Sequence, residues 1–169
     1  MESNYIFNEL ERNGALFGDL LSGLPAHQNT WRPAEGKWCL LEICCHLLDE
    51  EREDFKARTR HVLETPDKDL PKFDPIKWVT ERKYIEQDYD TVLLNFRKER
   101  EASVKWLRAL MNPQWENAFH HPKFGDMSSK LFLTNWLAHD YLHIRQVMAL
   151  KFQYLGQVYK QPLNYAGDW

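Results

Sequence analysis

The sequence predicts an all-α fold, a four-helix bundle with a long connection between its second and third helices. Three observations carry this. Apolar residues recur at intervals of three and four through four separate segments, the spacing of helices with one buried face. No stretch alternates apolar with polar residues as a half-buried strand does, and no repeat with a period of about 20 to 50 residues points to stacked units. At 169 residues the chain has the length of one domain, so residues 1–169 are expected to share one core.

The first helix is expected from about Ser3 to Leu24, where Ile6, Leu10, Phe17, Leu20, Leu21 and Leu24 keep helical spacing and Ser3 or Asn4 can cap. A connection from Pro25 to Gly36 follows, in which Pro33 disfavours helix at Arg32 and Trp31 offers an anchor. The second helix reads from about Lys37 to Leu63, apolar in its first three turns and strongly charged from Asp49 to Arg60, so its second half is expected to be the more exposed. Pro66, Pro71 and Pro75 then mark a crossover with at most a short helix near Ile76 to Val79.

The third helix spans about Gln87 to Met111. Val92, Leu93, Phe96, Val104, Leu107 and Leu110 form its apolar face, opposite Arg97, Lys98, Glu99, Arg100 and Glu101, and Asn112-Pro113 stops it. After a loop containing Trp115, Phe119, His120, His121, Pro122 and Gly125, Ser128 or Ser129 can cap the fourth helix, which is expected to reach about Tyr154 and end at Gly156. Tyr159, Leu163, Tyr165 and Trp169 make the tail apolar enough to pack on the bundle.

Composition narrows the function. The hydrophobic fraction is 43% and the aromatic fraction 14%, with seven Trp, so large rings supply much of the packing area and disorder is excluded. A net charge of −3 without a basic patch argues against binding a phosphate backbone. The N-terminus has no basic stretch leading into an apolar run, and no apolar stretch approaches the roughly 20 residues of a membrane span, so a cytoplasmic location is expected. Cys39, Cys44 and Cys45 lie on one predicted helix, are odd in number and form no disulfide framework; reduced core side chains are expected.

The chemistry concentrates in two segments. His139 and His143 are one helical turn apart, about 5.4 Å along the axis, so both imidazoles can reach one ion. Phe132, Trp136 and Gln146 extend the same stripe. His46, the one histidine inside the apolar run from Trp38 to Leu48, is the third donor. Three neutral imidazoles would leave a coordination position open, as in reactive zinc-type sites; a hydrogen-bonded polar core is the alternative. Glu42, Asp49, Glu50 and Glu53 lie at −4, +3, +4 and +7 from His46. Glu42 and Glu50 are the candidates to orient the imidazoles, complete the coordination or move protons, Asp49 stands beside them, and Glu53 reads as a solvated helix end. Asp140 turns about 100° from His139 and suits a bond to a neighbouring helix better than ligation. His27, His61, His120 and His121 read as surface residues.

The Lys-Trp-x-x-x-Glu-x-x-x-His-Leu-x-Asp-x-Glu segment from Lys37 to Glu51, paired with His-Asp-x-x-His-x-x-Gln from His139 to Gln146, resembles the DinB-like (YfiT-type) superfamily of metal-dependent four-helix proteins. Trp31-Arg32-Pro33 and His121-Pro122-Lys123-Phe124-Gly125 extend the likeness over nearly the whole chain. The resemblance implies His46, His139 and His143 as metal ligands, with Asp49, Trp136 and Gln146 near the site or its pocket. It also implies a small-molecule substrate, a low-molecular-weight thiol as cosubstrate, and a homodimer. Imidazole nitrogen suits zinc, nickel, copper and ferrous iron alike, with zinc or nickel preferred here. The expected activity is transfer of a metal-activated thiol, or hydrolysis if water takes its place. A non-catalytic metal-binding or stress-response module is the reading from another class.

Overall fold

The computed structural model describes residues 2–72 and 74–167. Four long helical stretches form the bundle: α1 (Glu2–Leu21), the continuous run of α3 (Leu40–Asp49), a π-helical turn (Glu50–Phe55) and α4 (Lys56–Glu64), then α6 (Tyr89–Ala109) and α7 (Ser129–Tyr159). A single turn, α2 (Ala26–Asn29), lies in the first connection, and α5 (Pro75–Glu81) with a 3-10 turn (Tyr84–Glu86) in the second. Around the bundle, α1 packs on α6, α6 on α3, α4 on α7, and α7 closes the ring against α1.

Local chemistry sets the ends. Asp88 and Ser128 cap α6 and α7 by accepting the Thr91 and Leu131 amides, at 2.9 and 3.1 Å. α1 stops at Leu21, three residues short of the expected Leu24, and Gly23 follows at a φ of +67°, a left-handed conformation that suits glycine. Tyr89 Oη and Lys151 Nζ donate to the freed carbonyls of Leu21 and Leu20.

Four expectations are refined or corrected. The second helix is more exposed after Asp49 than before it, as expected, but the π-helical turn inserts a residue into the register and turns Glu51 and Phe55 inward, each no more than 9% exposed. Arg100 does not belong to the solvated face of α6; it is buried at 3%. The loop before α7 contains an antiparallel hairpin of β1 (Ala118–His121) and β2 (Gly125–Ser128), too short for its alternation to register, with Gly125 at a φ of +72° in the turn. Gly156 does not end α7, which runs on to Tyr159 and closes with Lys160 in the left-handed region. Gly156 instead admits Leu163, whose Cδ1 lies 3.4 Å from where a Cβ would stand. In the tail only Leu163 is half-buried, Tyr159 and Tyr165 are exposed, and Trp169 lies outside the described residues.

The core has two apolar clusters. One gathers Phe17, Leu21, Ile43, Leu47, Phe96 and Val147; the other Phe7, Leu10, Phe55, Val104, Leu107 and Trp136. Between them every long helix places buried polar residues: Asn13 on α1, His46, Glu50 and Glu51 on α3 and its π-helical turn, Arg100 and Ser103 on α6, Asp140 and His143 on α7. A fully buried large apolar side chain contributes about 1.5–3 kcal/mol, so a polar layer at this depth is an expensive arrangement to keep.

Candidate metal centre

His46 enters the polar layer from α3, and His139 and His143 from α7. His139 Nε2 lies 3.2 Å from His46 Nε2 and 3.0 Å from His143 Nε2, and one nitrogen of each ring is within 4.8 Å of the others. His46 and His143 are buried and His139 is half-buried, so His139 borders solvent. Aromatic rings wall the cluster: Trp38 lies 4.9 Å from His46 and Phe55 4.9 Å from His139, while Phe55 stacks near-parallel to Trp136.

The rings are neutral. Burial lowers His46 to about 3, with repulsion from His143 adding to it. Burial lowers His139 to about 2, joined by His143, His46 and the Arg100 charge. Burial lowers His143 to about 4, against a smaller opposing effect of the Gln146 amide. Each therefore offers a lone pair at neutral pH.

This donor set fits a divalent ion. Metal–imidazole bonds of about 2.0–2.1 Å would hold neighbouring ligand nitrogens roughly 3.0–3.4 Å apart at the usual angles, which matches the two short separations. Ligation through Nε2 leaves the proton on Nδ1, and His46 Nδ1 is buried without a hydrogen-bond partner among the described residues, with Glu50 Oε1 at 3.8 Å. Ligand histidines usually direct this second nitrogen at a carboxylate. No carboxylate belongs to the cluster itself, so a bound ion would keep its full charge.

The other sequence candidates divide. Glu50 is 4% exposed and lies between His46 and Asp54; burial raises its carboxyl and the hydrogen bond with Asp54 raises it further. Gln146 sits beside His143. Trp136 gives its indole N–H to Glu51 Oε2 at 2.9 Å. Glu42 is engaged elsewhere: it accepts the Cys39 amide at 2.9 Å as the third residue of α3 and pairs with Arg32 at 2.6 Å. Asp49 accepts from Tyr84 Oη and Arg82 and lines a separate cleft of about 290 Å³ with Cys45. Glu53 is exposed and salt-bridged to Arg82. His27 and His120 are exposed, whereas His61 and His121 are half-buried through bonds to nearby backbone. All three cysteines are free and buried, and burial pushes each thiol up, Cys45 to about 12.

Sequence reasoning missed Arg100 and Phe55, and held Trp38 and Glu51 only as positions of the matched pattern, without a role. Arg100 donates from Nη1 and Nη2 to Asp140 at 2.6 and 2.8 Å, from Nη1 to the Leu10 carbonyl, and from Nε to Glu51 Oε2 at 3.0 Å. Asn13 also donates to Asp140. The available signal was the pair of glycines on α1: a Cβ at Gly14 would stand 2.7 Å from Arg100 Cγ, so Gly14 marks where an arginine stem crosses the bundle.

A family model described as the DinB superfamily matches residues 9–147. Among solved structures, YfiT from Bacillus subtilis, described as a probable metal-dependent hydrolase with an unusual four-helix bundle topology, is similar with a TM-score of 0.78. That similarity carries 18% sequence identity and covers 89% of this chain and 86% of that one. No curated protein matches the sequence.

Proposed function

The chain belongs to the DinB superfamily, and from that premise we propose that it is a metal-dependent enzyme acting on a small molecule, with His46, His139 and His143 as the ligands of a divalent ion. The observation that carries the reading is the convergence of three neutral imidazole nitrogens from two helices, with no carboxylate among them and one ring at the solvent border.

A divalent ion bound there supplies Lewis acidity, lowering the pKa of a coordinated thiol or water and so providing a nucleophile near neutral pH. The chain's own groups do the rest. His46 and His143 are held by burial in the unprotonated form. Glu50, kept protonated more readily than an ordinary carboxyl and hydrogen-bonded to Asp54, is the carboxyl nearest His46 Nδ1, at 3.8 Å, and would hold or move a proton there. Trp38 and Phe55 exclude water from two sides of the cluster. Zinc or nickel is the preferred ion, with ferrous iron the next choice.

The leading activity is transfer of a low-molecular-weight thiol to an electrophile, with hydrolysis as the second reading, favoured by the likeness to YfiT. The reading includes one domain over residues 1–169, a homodimer and a cytoplasmic location. Among the described residues no helix is long and apolar enough to cross a membrane.

Elemental analysis of untagged protein, with turnover of activated esters and alkyl electrophiles assayed with and without added thiols, tests it. About one equivalent of metal is expected, lost in His46→Ala and His143→Ala with helicity retained. Thiol-dependent turnover supports transfer, and turnover without thiol supports hydrolysis. Protein that neither contains metal nor takes up zinc, nickel or ferrous iron would end the proposal.

A further inference from the structure

The three histidines come from helices that could approach one another at many spacings, and the buried ion network beside them touches both. Asp140 follows His139, and Trp136 precedes it by three residues, so the two straddle His139 on α7. Each is gripped from across the bundle. Arg100 holds both oxygens of Asp140, and Glu51 Oε2 accepts the Trp136 indole N–H. Glu51 lies one π-helical turn after His46 on the same continuous helix, and its Oε2 is also 3.0 Å from Arg100 Nε and 2.9 Å from Nη2. Arg100 therefore links the helix bearing His46 to the helix bearing His139, and each of its three nitrogens faces an acceptor.

We infer that Arg100, acting through Asp140 and Glu51, is a positioning residue that sets the rotation of α7 and the separation of His139 from His46, an inference that rests on the three-histidine metal reading. Rotation of α7 about its axis would draw Asp140 and Trp136 away from their partners, so these contacts oppose the same rotation that would displace His139. One guanidinium faces two carboxylates, and Glu51 Oε1 has no hydrogen-bond partner among the described residues. Gly14 belongs to the device, since its missing side chain is what admits the Arg100 stem.

The test is cobalt(II) substitution, read by visible absorption and by competition for metal with a chromogenic chelator, in Arg100→Lys, Glu51→Gln and Trp136→Phe. Leu107→Ala, in the apolar cluster, serves as a comparably destabilised control. The three network variants are expected to bind cobalt(II) about tenfold to a hundredfold more weakly with shifted d–d bands, while the folded control keeps the wild-type spectrum and affinity. If Arg100→Lys does not fold, the milder Trp136→Phe decides. Wild-type spectra and affinities in the folded network variants would overturn this inference alone; wild-type protein that takes up no cobalt(II) would overturn it together with the metal reading.

Discussion

Arg100 meets Asp140 in two parallel contacts, Nη1 2.6 Å from Oδ2 and Nη2 2.8 Å from Oδ1, at a depth where neither residue is more than 3% exposed. Removing the cation alone leaves two carboxylates buried without compensation. Arg100→Met is therefore expected to cost about 3–5 kcal/mol, read from urea unfolding followed by circular dichroism. A loss below about 1 kcal/mol would mean that the carboxylates relax or protonate freely, and that the network contributes little to the fold.

Gly14 and Gly18 make a matched pair for testing how tightly that arginine is held. A Cβ at position 14 would stand 2.7 Å from Arg100 Cγ, in a stem fixed at its far end, whereas at position 18 the nearest atom is Arg97 Nε at 3.1 Å, on an exposed residue free to swing. Gly14→Ala is expected to destabilise by about 1–3 kcal/mol despite the better helix propensity of alanine, and Gly18→Ala to be neutral or stabilising by up to about 1 kcal/mol. Equal thermal midpoints for the two variants would contradict the close approach.

Much of this was legible from periodicity. The four long helices follow from three-and-four spacing, and the histidine cluster follows from placing His139 one turn before His143 and finding His46 alone in an apolar run. Part of what was hidden traces to the π-helical turn Glu50–Phe55. Helical projection assumes 3.6 residues per turn, so one inserted residue turns Glu51 from the charged side into the core and brings Phe55 beside His139. Arg100 was unreadable for a different reason: among five charged residues from Arg97 to Glu101, nothing local distinguishes the one whose partners lie on three other helices. Glu42 shows the converse, since its spacing suited the site while its oxygens serve the start of α3.

Glu42 and Glu50 should accordingly separate by experiment. Glu42→Ala removes a helix cap and an Arg32 partner, for an expected loss of about 1–2 kcal/mol, with metal content unchanged. Glu50→Ala removes the carboxyl nearest His46 Nδ1 and is expected to weaken metal retention about tenfold at modest cost in stability. Elemental analysis after dialysis against graded chelator reads both. Loss of metal in the Glu42 variant alone would reverse the two assignments.

The depressed histidines predict an acid-sensitive metal-free protein. In chelator-treated protein the three folded-state values, about 3 for His46, about 2 for His139 and about 4 for His143, all lie below the ordinary value of 6.5. The unfolded chain thus binds these protons first as pH falls, and stability must rise with pH in that window. The contribution is complete above about pH 6.5 and is lost progressively toward pH 4, at up to about 1.4 kcal/mol per pH unit for each ring. Urea midpoints between pH 7.5 and 4.5 are expected to fall more steeply in the wild type than in a His46→Gln, His143→Asn double variant, in which only His139 of the three remains. The exposed histidines act alike in both proteins, so the difference between the curves reports the two replaced rings together with their effect on His139. Parallel curves would show that these rings exchange protons with solvent as freely in the bundle as in the unfolded chain, and the dry, neutral cluster that makes a metal centre reasonable would be gone.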